Sequence, residues 1–220
     1  MGQHSLSGNP DVRAELIKSI GWNQDALIRS IMTLYCPQGF ECDPTYSEGN
    51  FYKTIPKPRY RYDIDPKDKN TIKADCTDLP LEDSSISSLM FDPPFIAGIG
   101  KRGKPGIIRE RFGSYRNVQT ELWGMYHEAI KEFYRVLKRD GVLVIKCQDV
   151  IDGGKQYLSH VEIINWAARV GFYPRDLFVL LAKSRLTQEK PGGQLHARKF
   201  HSYFLVFTKT KTQVRYGWPV

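Results

Sequence analysis

Residues 89–95 read Leu-Met-Phe-Asp-Pro-Pro-Phe. An apolar run enters an aspartate, and two prolines follow it. Neither proline has an N–H to give to a sheet ladder, so the run ends at Asp92 as a strand ends. The prolines then hold the backbone rigid between an acid, Asp92, and an aromatic ring, Phe95. Such a device is built to grip something.

Outward from this run, the chain alternates between two periodicities. Upstream, residues 11–35 have a helical pattern broken at Gly21. Ala26, Leu27, Ile31 and Leu34 are at helical spacing, with Asn23 as the N-cap. A short strand and a turn-rich loop follow in GFECDPTYSEGNFYK, then strands in RYRYDID and TIKAD. Downstream, a Gly- and Arg/Lys-rich loop spans 97–116. The pattern predicts a helix from Thr120 to Leu137, with Leu122, Tyr126, Ala129, Phe133 and Val136 on one face. VLVIKC is a continuous apolar run, as in a strand buried on both faces. A turn at Gly153-Gly154 precedes a helix from His160 to Val170, ended by Gly171. DLFVLLA and FHSYFLVFT are the last strands, with no helix between them. The alternation predicts an α/β fold with a mostly parallel sheet and an antiparallel C-terminal hairpin at one end. Its acid- and glycine-bearing strand ends then face one crevice, where such sheets bind ligands.

The 220 residues fit a single domain, 1–220, with a helical extension over 1–35. Hydrophobic residues make up 41%, ordinary for a globular chain, and no apolar run reaches the length of a membrane span. The start, MGQHSLSG, has no charged segment followed by an apolar one, so no signal peptide is expected. Cys36, Cys42, Cys76 and Cys147 form no CxxC pair and no cluster with histidines. That argues against a metal site or a disulfide framework and for free thiols in a reducing cytoplasm. The net charge of +8 suits a polyanionic partner.

At the strand end, the Asp92 carboxylate can accept one hydrogen of an NH2 group. The Pro93 carbonyl can accept the other, Pro94 fixes the turn, and Phe95 offers a flat face to a heteroaromatic ring. Taking both hydrogens draws electron density onto the nitrogen and aims its lone pair, so no strong base is required. Here the sequence resembles the amino methyltransferases, whose signature (D/N/S)PP(Y/F/W) is matched in full by DPPF. The resemblance runs from about Cys42 to Thr208. It looks closest to small phage- or prophage-type DNA methyltransferases without a separate target-recognition domain. It implies a Rossmann-like methyltransferase sheet and S-adenosylmethionine as cofactor.

Residues 43–49, Asp43-Pro44-Thr45-Tyr46-Ser47-Glu48-Gly49, resemble the family's cofactor loop DPFxGxG, with Ser47 in place of the first glycine. Asp43, Pro44, Thr45, Tyr46, Ser47 and Gly49 are thereby cofactor-binding candidates. Asp63 and Asp65 end the next strand, where an acid accepts from ribose hydroxyls. For Asp65 a strand-capping role stands beside that one. Asp75 and Cys76 fall where the family contacts the cofactor's adenine. Only about ten residues, Pro56 and Pro58 among them, separate Gly49 from the next strand. The family's helix does not fit there, and the N-terminal helices are expected to pack in its place. Lys146, Gln148 and Asp149, at the mouth of the strand after DPPF, either line the target pocket or serve structure.

Lys101, Arg102, Lys104, Arg109, Arg111 and Arg116 follow DPPF, interleaved with Ile107, Ile108, Phe112 and Tyr115. Residues 183–199 hold a second basic segment with Arg185, Arg198 and Lys199. Such cations neutralise phosphates, and the apolar residues can fill the gap left by an extruded base. The resemblance implies adenine-N6 methylation of DNA by a cytoplasmic enzyme of a bacterium or phage-infected cell. Three alternatives stay open: methylation of cytosine N4, methylation of RNA guanine N2, and a catalytically silent DNA-binding subunit.

Overall fold

The run before DPPF is a strand, Ile86–Phe91, and it lies inside an eight-stranded sheet. The structure, a computed structural model, describes residues 16–95, 117–183 and 195–210. In chain order its elements are β1 (Ile20–Gly21), α1 (Gln24–Tyr35), β2 (Cys42–Asp43), a 3-10 turn (Asn50–Tyr52), β3 (Tyr60–Asp63), β4 (Ile72–Lys73) and β5 (Ile86–Phe91). A π-helical turn (Val118–Trp123) then runs into α2 (Gly124–Val136). The rest are β6 (Leu137–Cys147), β7 (Val150–Asp152), β8 (Lys155–Tyr157), α3 (Ser159–Val170), β9 (Phe172–Leu181) and β10 (His201–Lys209).

The strand order is β1-β9-β10-β6-β5-β2-β3-β4. Within this sheet every pairing is parallel except those of β10, which runs antiparallel to both β9 and β6. The fold is thus the expected Rossmann-like α/β sheet with an antiparallel C-terminal pair. β5 and β2 are neighbours although β3 and β4 lie between them in the chain, so the connection reverses direction there. That reversal opens the crevice of a doubly wound sheet. The small hairpin β7–β8 turns through Gly153-Gly154 and stands apart from the main sheet.

Two cores cover the two faces. On one, Leu122, Tyr126, Ala129, Phe133 and Val136 are fully buried with Phe91, Ile145 and Phe172, so α2 uses the face expected of it. On the other, Leu27, Ile28 and Ile31 of α1 pack with Tyr46, Tyr52, Ile55, Val144 and Phe204. After the cofactor-type loop there is only the 3-10 turn, and α1 fills the face left bare by the missing helix. Among the described residues, the helical pattern over 11–35 is realised as α1, capped by Asn23, whose side chain accepts from Ala26 N–H. Ile20–Gly21 is instead a strand paired with Val179 and Leu180, and 1–15 lie outside the described residues. The edge offered by Val179 and Leu180 overrides the weak strand preference of Gly21, where a Cβ would meet Leu27 at 3.4 Å. β9 begins earlier than expected, at Phe172. It tolerates Pro174 because the ladder slips between Val206 and Phe207, a bulge where no N–H is required.

The approach to β5 is tied down by α2. Glu132, which is buried, accepts from Leu79 N–H at 2.7 Å. It also takes a two-pronged contact from Arg135, at 2.8 and 2.6 Å. Arg135 reaches on to the Leu81 carbonyl and to Asp83. Among the described residues, no helix is long and apolar enough to cross a membrane. Glu132→Ala leaves the Leu79 N–H unsatisfied and removes the buried carboxylate partner of Arg135, and is expected to cost about 3 kcal/mol in urea unfolding, with Glu132→Gln losing about half as much.

Candidate active site at the carboxyl edge of the sheet

Parallel strands bring their ends to one edge, and that edge gathers the candidate residues. Asp43 ends β2, Asp63 ends β3, Asp75 follows β4, Asp92 follows β5 and Cys147 ends β6. The loop after β2 is held from inside by Asp43, which is 1% exposed. One carboxylate oxygen accepts from Thr45 N–H at 2.7 Å and from the Thr45 hydroxyl at 3.1 Å. The other accepts from the Tyr52 hydroxyl at 2.7 Å. The Thr45 oxygen in turn accepts from Asp92 N–H at 3.0 Å. One hydrogen-bond chain therefore joins the cofactor-type loop to DPPF.

Burial pushes the Asp43 carboxyl up to about 7, against the pull of the bonds from Tyr52 and Thr45, and the charge of Asp92 adds to the rise. Ser47, at φ 49°, holds the left-handed bend that glycine usually supplies. Gly49 takes a second one at φ 68°, and a Cβ there would strike the buried Tyr46 ring, its hydroxyl oxygen 2.5 Å away. Ser47 N–H donates to Asp63 at 2.9 Å, which fastens the loop to the end of β3. Pro44 and Tyr46 are buried, and Tyr46 stacks on Tyr52 at 5.4 Å.

The remaining candidates divide. Asp63 also accepts from Asp65 N–H. Asp65 itself is turned outward, its side chain 77% exposed and paired with Lys67. Asp75 closes a turn by accepting from the N–H and hydroxyl of Thr77, and Cys76 beside it is half-buried. Arg198 is exposed and Lys199 half-buried. Lys101, Arg102, Lys104, Arg109, Arg111, Arg116 and Arg185 lie outside the described residues. A shallow depression lined by Gln38, Glu41, Lys57 and Arg59 lies at the opposite edge, where β2 and β5 begin.

Asp92 carries the sharpest geometry. Its Oδ1 is buried and has no hydrogen-bond partner among the described residues. Pro93 is buried, while Pro94 and Phe95 are half-buried. Burial holds the Asp92 carboxyl above its ordinary range, and Lys146 pulls the other way. Lys146 comes from β6, its side chain 11% exposed, with Nζ 3.5 Å from both Asp92 oxygens. The same ammonium donates to the Gln24 side chain at 3.0 Å. It also sits 4.8, 5.7 and 5.8 Å from the ring centres of Phe51, Phe204 and Phe95. A lysine inside the apolar run VLVIKC is the sequence signal for such a pair, because a buried ammonium must be compensated. Gln24 and Phe51 had no signal of that kind. Gln148 and Asp149 face other duties: Gln148 donates to the His201 carbonyl, and Asp149 pairs with His160 at 2.7 Å. Among the described residues, no group of histidines, cysteines and acids could hold a metal ion.

No family model matches the chain, and no curated protein does. Some solved structures are similar to it at low identity. A Thermus thermophilus protein, provisionally named a DNA modification methylase and crystallised with S-adenosyl-L-methionine, is 18% identical over 67% of this chain and 56% of its own, at TM-score 0.42. A SAM-dependent methyltransferase from Thermotoga maritima is 16% identical over 81% and 86%, at 0.48. The PvuII cytosine-N4-specific DNA methyltransferase is 18% identical over 63% and 48%, at 0.41. The chain spans about half the length of the Thermus and PvuII proteins. Likeness at this level defines neither activity nor substrate.

For Asp43, the folded carboxyl titrates near 7 and the unfolded one near 3.8. The folded state thus binds more protons between these values, and its stability falls as pH rises through that window. Tyr52→Phe removes a bond that favours the ionised form. Its cost is expected to be about 2–3 kcal/mol at pH 8 and about 1 kcal/mol at pH 5, read from urea unfolding at both. Asp43→Asn should flatten the dependence over that window.

Proposed function

We propose that this chain is an S-adenosylmethionine-dependent methyltransferase acting on the exocyclic amino group of a nucleic-acid base, adenine N6 in duplex DNA. The observation that carries the reading is the buried Asp92 Oδ1, without a hydrogen-bond partner among the described residues, at the carboxyl end of β5 and close to Phe95 in the chain. An acceptor placed there is completed by an N–H donor from a planar amine. Asp92 and the Pro93 carbonyl accept the two amine hydrogens, Phe95 stacks on the ring, and the nitrogen lone pair is left aimed outward. Holding the reactants in that geometry is the main catalytic contribution.

The donor residues suit the cofactor. The loop Asp43–Gly49 bends twice with φ positive, at Ser47 and Gly49, and Asp63 stands at the adjoining strand end. When bound, S-adenosylmethionine supplies an electrophilic methyl group. Pro44, Thr45, Tyr46, Ser47 and Gly49 would shape its cradle, with Asp63 and the Asp75-Cys76 turn toward its nucleoside end. The carboxylate of Asp65, turned outward to Lys67, is left out of that assignment. The bend retained at Ser47 favours a working loop over a silent DNA-binding subunit.

The polymer is inferred from charge. The net charge of +8, with basic segments at 97–116 and 183–199, suits phosphate contacts beside an extruded base. Methyl transfer from radiolabelled S-adenosylmethionine to unmethylated duplex DNA and to total RNA, followed by nucleoside analysis, tests the reading. Label is expected in N6-methyladenine from DNA. Label in N4-methylcytosine, or in RNA guanine alone, would replace the substrate assigned here. Asp92→Ala is expected to lower transfer by roughly 100–1,000-fold while cofactor binding by calorimetry stays intact.

A further inference from the structure

A lysine beside the acid of such a site is a puzzle. The amine nitrogen gains positive charge as it is methylated, and a nearby ammonium opposes that. The cost is accepted only if the cation does something the site needs. Lys146 is no accident of the surface: its side chain is 11% exposed, and Nζ is fixed by Gln24 and ringed by Phe51, Phe95 and Phe204.

The groups around Asp92 explain the need. From the end of β2, Asp43 faces it as a second acid, and Thr45 holds its N–H. From the 3-10 turn comes the Tyr52 hydroxyl, and from β6 the Cys147 thiol, both held neutral by burial. Each of these either repels a charge on Asp92 or leaves it uncompensated. Lys146 is the cation that offsets them among the described residues, lying at equal distance from the two carboxylate oxygens. A protonated Asp92 would present an O–H to the amine in place of a lone pair, and the grip would fail.

We propose that Lys146 is a positioning residue whose ammonium, clamped by Gln24 and three aromatic rings, keeps Asp92 in the carboxylate form that accepts the target amine; this rests on the methyl-transfer reading. Two consequences follow. The Asp92–Lys146 pair is neutral overall, so the site favours an uncharged amine on an aromatic ring over an alkylammonium. The acid limb of the pH–rate profile reports Asp92, and Lys146 holds that limb below where burial alone would set it.

The test is Lys146→Met, with Lys146→Arg as the charge-retaining control, each measured two ways. The first is kcat/KM for methyl transfer between about pH 5 and pH 9.5, a range that brackets the expected limb. The second is the carboxyl carbon titration of Asp92 by NMR, assigned through its absence in Asp92→Asn. For Lys146→Met, the acid limb and the carboxyl titration are expected to move together to higher pH by about one unit or more. Activity on the acid side of the limb should then fall about tenfold or more and recover as the pH is raised. Lys146→Arg is expected to keep the wild-type profile. A loss of equal size at every pH, with the Asp92 titration unmoved, would overturn the proposal and leave Lys146 a packing residue. If the wild-type protein transfers no methyl group to any nucleic acid, the functional reading fails. The carboxyl titration still decides, on its own, whether Lys146 sets the charge of Asp92.

Discussion

Thr45 donates its hydroxyl to the buried Asp43 carboxylate and accepts the backbone N–H of Asp92 on the same oxygen. Through this one side chain, the end of β2 and the end of β5 are held in a fixed relation. The rest of the site hangs from that relation. Tyr52 reaches the same carboxylate from the 3-10 turn, and its ring stacks on Tyr46, so the loop that follows β2 closes on itself. Asp63 then fastens the loop to β3 through Ser47 N–H. A buried carboxylate is costly unless its lone pairs are used, and here three donors use them.

The crevice also depends on what covers the sheet. With no full helix after the cofactor-type loop, the face above β2 and β10 would be bare. α1 lies there, and its apolar side packs with residues of the loop itself, Tyr46 and Tyr52, and with Phe204 of β10. The start of α1 thereby comes to the mouth of the crevice, where Gln24 meets Lys146. The opposite face is conventional, with α2 and α3 packed over β5, β6 and β9. Arg135 and Glu132 bind the incoming loop to α2, which sets where β5 begins and hence where Asp92 ends it.

The two acids of the edge solve the same electrostatic problem differently. Asp43 is surrounded by neutral donors and titrates near 7. Asp92 has one oxygen without a hydrogen bond among the described residues, and a cation at 3.5 Å. Hydrogen bonds offset the burial of one acid and charge offsets that of the other.

Much of this was legible in the chain. Periodicity alone gave the alternating strands and helices, and the face of α2 was read residue by residue from Leu122 to Val136. The two prolines marked the end of β5, and the spacing of Asp43, Asp63, Asp75 and Asp92 followed the strand ends, because local backbone chemistry decides where strands stop. The residues that finish the site were not legible. Ile20–Gly21 is a strand only because Val179 and Leu180 offer it an edge. Asp65 and Asp63 look alike in sequence, yet one pairs outward with Lys67 and the other holds the loop. Lys146 was placed at the mouth of the strand after DPPF with its role open, and its partners, Asp92, Gln24 and three aromatic rings, come from separate segments of the chain. Sequence determined the elements and the reactive edge, since those depend on near neighbours. Only the tertiary structure decided which charges meet, since burial and pairing depend on segments far apart in the chain.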